Sequence, residues 1–318
     1  MLTLLTFAIS MLIGPTALGL GDLVTAIAGE KTEMTTMIIR EIRFPRAMLG
    51  LLIGATLGLA GASLQGYLRN PLAEPGVIGV STAAALGAVL AIYTGLSSIF
   101  PLALPIMAIT GSLIAVSILQ ALAGSGSVLT LILAGVAISS LGGALTSLVL
   151  NLPSNPFASL EIVFWLLGSI TDRSMNHVWL AGPFIVSGWV FLAMSARSLD
   201  ALSLGEETAI SLGVNLQRTQ FFIIVGTAIS VGAATAVAGV IGFIGLMVPH
   251  ILRPWVGHHP SRLLLASALG GASLLLCADI LVRLVTPNTE LKLGVVTALI
   301  GAPFFFHLVL RTKASYNT

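Results

Sequence analysis

Apolar residues run along this chain in blocks of up to about twenty, separated by charges and by clusters of glycine and proline. The blocks give candidate membrane helices near residues 2–20, 47–68, 78–94, 102–123, 128–150, 178–194, 221–240, 242–252, 263–284 and 293–310. About ten spans predict an all-α, polytopic membrane bundle forming one domain over residues 1–318, with both termini on one side. Residues 158–170 add an expected half-helix. The segment 242–252 is the misfit, because about eleven residues at 1.5 Å each reach only about halfway across a 30 Å hydrocarbon core. A short or broken helix at that depth has to be shielded by protein or face a water-filled cavity, as in many transporters.

Composition sharpens this picture. Hydrophobic residues make up 56% of the chain and charged residues 8%, far from the balance of a soluble domain. The formal charge of +2 is carried by lysines and arginines scattered in ones and twos, so nucleic acid is excluded as a partner and lipid is implied. The single Cys277 excludes an intramolecular disulfide and reads as a small buried hydrophobe. Residues 1–20 lack a basic flank and a clear cleavage site, which favours a first membrane helix over a signal peptide.

A shift of 178 residues aligns Arg40 with Arg218, Phe44 with Phe222, Gly54-Ala55 with Gly232-Ala233, Ala60-Gly61 with Ala238-Gly239, and Pro71 with Pro249. The two copies, about 40–150 and 218–311, start five spans apart, so the expected repeat is inverted. Loop charge does not orient the bundle, since seven basic residues fall on each side, Lys31 among them. An arginine-rich outer face then requires another cause, such as an acidic partner.

Several stretches carry candidate chemistry. Leu204–Arg218, LGEETAISLGVNLQR, places Glu206 and Glu207 between two apolar spans. Ser203 with Glu206 fits a capping box, Gly213 supplies a left-handed stop, and Asn215 can cap the following span. The result is an extramembrane helix over 206–212, within a segment 203–218. The stretch RNPLAEPGVIGV at 69–80 holds Asn70, Pro71, Glu74, Pro75 and Gly76, and predicts an ordered break between spans. Gly54, Gly58 and Gly61, and Gly239, Gly242 and Gly245, have the spacing of close helix contacts, with Pro249 just beyond. Asp279 and Arg283, four residues apart, form either a local ion pair or an intramembrane proton site. The histidines show no metal-ligand spacing, and none of the lysines follows a phosphate-loop glycine, so any ATP must be bound by another chain.

Over nearly its whole length the chain resembles the permeases of bacterial ATP-binding-cassette importers for iron-siderophores, haem and vitamin B12, the FecCD type. The resemblance lies in Arg43-Phe-Pro-Arg46, Asn70-Pro-Leu-Ala-Glu-Pro-Gly76, Leu204-Gly-Glu206 with Leu212-Gly213, Gly242-Phe-Ile-Gly-Leu246 with Pro249-His250, Ala278-Asp279 with Arg283, and Gly294-Val-Val-Thr297 with Gly301-Ala-Pro303. It implies ten helices, a second permease subunit, two ATP-binding subunits, a periplasmic substrate-binding protein, an inner-membrane location, and no cofactor or catalytic residue of its own. It further implies that Leu204, Gly205, Glu206, Glu207, Ala209, Leu212, Gly213 and Arg218 couple to the ATPase. Arg43, Arg46 and Arg283 match arginines that meet the binding protein, acting more in docking than in folding. Relatives often carry several basic residues before the first span; this chain carries none there.

The alternative reading is a secondary transporter driven by protons or sodium, with Asp279 as the coupling acid. An intramembrane enzyme is disfavoured because the spans hold no paired nucleophile and base.

Overall fold

The computed structural model describes residues 1–14, 16, 19, 21, 33–100, 102–123, 128–152, 156–286 and 291–316, and among them the regular structure is helical. The main helices are α1 Leu2–Leu12, α2 Phe44–Leu68, α3 Val80–Tyr93, α4 Ala103–Ala123, α5 Val128–Asn151, α6 Pro156–Leu166, α7 Met175–Met194, α8 Ala196–Leu202, α9 Glu206–Ser211, α10 Leu216–Ala238, α11 Ile244–Leu252, α12 Pro260–Val285 and α13 Leu293–Tyr316. Each of the ten expected spans holds a helix. Six helices among the described residues are long and apolar enough to cross a membrane, and the chain is a multi-pass membrane protein.

Two expectations are corrected. The first helix stops at Leu12 instead of running to residue 20, because Ile13 turns extended (φ −83°, ψ 131°). It lies along only part of α12, with the Thr3 hydroxyl 3.0 Å from that of Ser273. Cys277, expected to be buried, is exposed on α12. Lys31 lies outside the described residues.

Small residues decide which helices meet. On α2, a Cβ at Gly54 would come 2.4 Å from the Gly271 carbonyl oxygen, and one at Gly58 would come 2.0 Å from that of Ser267, so α2 and α12 touch backbone to backbone. One turn further, a Cβ at Gly61 would lie 1.9 Å from the Gly245 oxygen, which seats α11 against α2. Lipid tails are as apolar as leucine side chains, so close van der Waals approach is what favours one helix pairing over another.

At 25 residues, α2 is roughly 37 Å long. Its C-terminal end meets the start of α10, where Tyr67 donates to Gln220 Oε1 at 3.1 Å. The α9 segment sits at this end of the bundle, and the start of α2, with Arg43 just before it and Arg46 in its first turn, sits at the other.

Candidate functional site

The segment 203–218 is built by backbone geometry. α8 closes with the Ser203 hydroxyl donating to the Asp200 carbonyl at 2.6 Å, so the capping box expected at Ser203 does not form. The N-cap of α9 is Gly205, at φ 107°, without a side-chain cap. The C-terminal expectation holds: Gly213 adopts φ 86°, its amide donates to the Ile210 carbonyl, and the Val214 amide donates to that of Ala209. These two bonds are a Schellman stop. Asn215 Oδ1 then accepts the Arg218 amide at 2.9 Å and starts α10.

This short helix is held on one side and presented on the other. Ala209 is fully buried and anchors α9 to the bundle, while Leu204 is 64%, Ile210 54% and Leu212 62% exposed. Glu206 and Glu207 stand exposed in the first turn, where carboxylates suit the helix dipole. An apolar trio and two glutamates thus form an exposed knob on a helix fixed by its own backbone. Ile210 went unrecognised in the sequence because nothing in a chain this apolar marks one isoleucine as outward-facing.

The two expected breaks come together in the interior. From Arg69 to Gly79 the chain makes successive turns, with Asn70 Oδ1 accepting the Leu72 amide and the Gly76 carbonyl accepting the Ser139 hydroxyl at 3.0 Å. Pro71 is exposed. Glu74, in this connection, accepts the backbone N–H of Phe243. Pro75 borders Gly245. Between α10 and α11 the chain is non-helical, with Gly239 at φ 73° and Phe243 at φ 68°, a region costly for a residue with a side chain. A third interruption joins here: Ser169 donates to the Ala238 carbonyl at 2.7 Å and Gly294 to that of Gly168 at 3.3 Å.

Pro249 explains a side chain that the sequence reading passed over. Inside α11 a proline has no amide to give to the carbonyl four residues back, that of Gly245. Gln65 of α2 supplies the donor, its Nε2 lying 3.3 Å from Gly245 O and 3.2 Å from Leu246 O. Gln65 Oε1 in turn accepts Arg253 Nη2 at 2.6 Å. The two glycines that share a stripe differ: Gly245 is packed against α2, whereas a Cβ at Gly242 would meet nothing within 4 Å.

At the opposite end the three arginines converge, but they face inward. Asp279, 1% exposed, binds Arg46 Nη2 and Arg283 Nη2 at 2.8 Å each. Arg283 also donates to the carbonyls of Ser10 and Ile13 at 2.8 and 2.6 Å. Arg43, 4% exposed, donates to those of Met11, Leu12 and Thr16. The last carbonyls of α1, which a helix leaves without partners, are thereby satisfied. Each of the three guanidiniums has a partner within the chain, a role in the fold that the docking expectation left out. The ion pair expected between Asp279 and Arg283 is present, with Arg46 added.

The FecCD transport family model matches residues 2–311. The cobalamin import system permease BtuC of Halobacterium salinarum is 41% identical over 87% of this chain and 74% of its own. The hemin transport system permease HmuU of Yersinia pestis is 38% identical over 86% and 83%. A solved metal-chelate type ABC transporter in an inward-facing conformation superposes with a TM-score of 0.86 at 32% identity, covering 98% of this chain and 96% of that one. With interrupted spans at its centre and an exposed knob at one end, the chain belongs to the FecCD transport family.

Proposed function

We propose that this chain is the permease subunit of an ATP-driven importer that carries an iron-siderophore, haem or cobalamin-type chelate across the bacterial inner membrane. The observation that carries the proposal is the α9 knob, with Leu204, Ile210 and Leu212 exposed beside Glu206 and Glu207. Two ATP-binding subunits would engage this knob from the cytoplasm. Nucleotide-dependent movement of α9 would reach the interrupted spans through the start of α10, where Gln220 meets Tyr67 of α2, and through Gln65, which holds α11. A second permease subunit would complete the passage, and the 40–150 and 218–311 halves would form an inverted repeat around it.

At the other end a periplasmic binding protein would deliver the cargo. Three guanidiniums against one carboxylate leave the Arg43, Arg46, Arg283 and Asp279 cluster with excess positive charge, which favours an acidic partner through its field more than through exposed contacts. The coupling-acid alternative loses support, because both oxygens of Asp279 accept guanidinium hydrogens.

The test is uptake in vesicles holding the permease, its ATPase and the neighbouring binding protein loaded with each chelate in turn. Uptake that stops when the ATPase is inactivated supports the reading. Uptake by the permease alone, driven by an ion gradient, would overturn it.

A further inference from the structure

Beside the α9 knob lies a recess of about 870 Å³ between the end of α7, α8 and the start of α10. Its charged groups are Arg197 and Arg218, both exposed, and neither has a carboxylate within ion-pair distance among the described residues. The remaining wall includes Met194, Leu212, Val214 and Phe222, and the Arg218 guanidinium rests 5.2 Å over the Phe222 ring. The nearby acids face elsewhere: Asp200 Oδ1 accepts the Ser261 amide at 2.8 Å, while Glu206 and Glu207 start α9 and the recess meets only its end.

Met194 ends one span and Phe222 lies in the second turn of another, so the recess sits where hydrocarbon gives way to water. Two unpaired guanidiniums at that level, above apolar side chains, match the chemistry of a phosphate joined to an acyl chain. We infer that the recess binds the headgroup of an anionic phospholipid, with Arg197 and Arg218 on the phosphate and Met194 and Phe222 against the first methylenes. Such a lipid would lie against the coupling segment and fill the space behind it. Its leaflet is the cytoplasmic one if the orientation proposed above is right, but binding itself requires no transport.

The experiment is native mass spectrometry of the delipidated full-length permease titrated with phosphatidylglycerol or phosphatidylcholine. Wild type should retain phosphatidylglycerol preferentially. Arg197→Gln with Arg218→Gln should lose that preference by about tenfold, and the paired lysine variant should keep most of it. Soluble glycerol phosphate should fail to compete, since it lacks the apolar part. Equal retention of the two lipids by wild type, unchanged retention by the glutamine variant, or full competition by glycerol phosphate would each overturn the assignment. If the glutamine variant instead loses ATPase association in lipid-free detergent and keeps its lipid preference, the recess is a socket for an acidic protein side chain and the lipid reading falls.

Discussion

The two ends of the bundle both carry charge in a chain that has little of it, and they use it in opposite ways. At one end Asp279 and Arg43 are buried and Arg46 and Arg283 partly so, and their bonds join α1, the start of α2 and the end of α12. At the other, Glu206 and Glu207 are exposed on a helix whose shape is set by Gly205, Gly213 and the buried Ala209. Charge at the first end fixes the chain to itself, while charge at the second leaves the fold alone and is free for another molecule. The difference is visible in what positions each group: side-chain partners in one case, main-chain geometry in the other.

Removing the shared carboxylate should break the comparison most strongly. Asp279→Ala leaves Arg46 and Arg283 facing one another without their counter-charge, 15% and 7% exposed, a loss of roughly 3–5 kcal/mol for a buried pair robbed of one partner. The expected outcome is a large drop in inserted, monodisperse protein by fluorescence-detected gel filtration. A stability within about 0.5 kcal/mol of wild type, the range of ordinary surface changes, would place these arginines in docking after all.

The interior offers a second contrast, smaller in size. Gly61→Ala puts a methyl where only 1.9 Å separates it from the Gly245 carbonyl, so α2 and α11 have to part, at about 1–3 kcal/mol. Gly242→Ala adds the same atom to open space and should leave stability within about 0.5 kcal/mol. Gly242→Leu should reduce uptake at unchanged protein level if that space belongs to the passage. Thermal unfolding in detergent separates the first two variants, and equal melting temperatures would remove the distinction.

Much of this arrangement was legible in the sequence, and the exceptions have physical causes. A helix within each apolar segment, the left-handed stop at Gly213, the cap at Asn215 and an ordered break within 69–80 all follow from local chemistry, and they stand as expected. The cap at Ser203 failed because α8 claims its hydroxyl and Gly205 opens α9 with a backbone that serine would resist. The inward turn of Arg43 and Arg283 could not be read locally, since it depends on where α1 ends, thirty residues upstream of one arginine and at the far end of the chain from the other. Gln65 was equally hidden. Its partner is the carbonyl that Pro249 frees, and only the packing of α2 on α11 brings the two together.

A small effect on the fold, and the sharpest on function, is expected at α9. Glu206→Lys reverses a charge that is exposed and makes no ion pair among the described residues, so its cost is limited to the dipole preference at a helix start, roughly 0.3–1 kcal/mol. Uptake should nonetheless fall steeply, because the lysine would meet whatever surface the carboxylate now suits, and the loss should shrink at high salt where exposed charges are screened. Gly213→Pro affects the same knob by another route: proline fixes φ near −65° where the chain needs 86°, and it removes the amide that donates to Ile210. That variant should misplace Leu212, weaken ATPase copurification at any salt, and leave the remaining helices inserted. Copurification that is salt-sensitive for Glu206→Lys and salt-insensitive for Gly213→Pro would separate the knob's charge from its shape. Wild-type uptake and ATPase binding in both variants would mean that the two ends of the bundle do not differ as proposed, and that the exposed helix presents nothing.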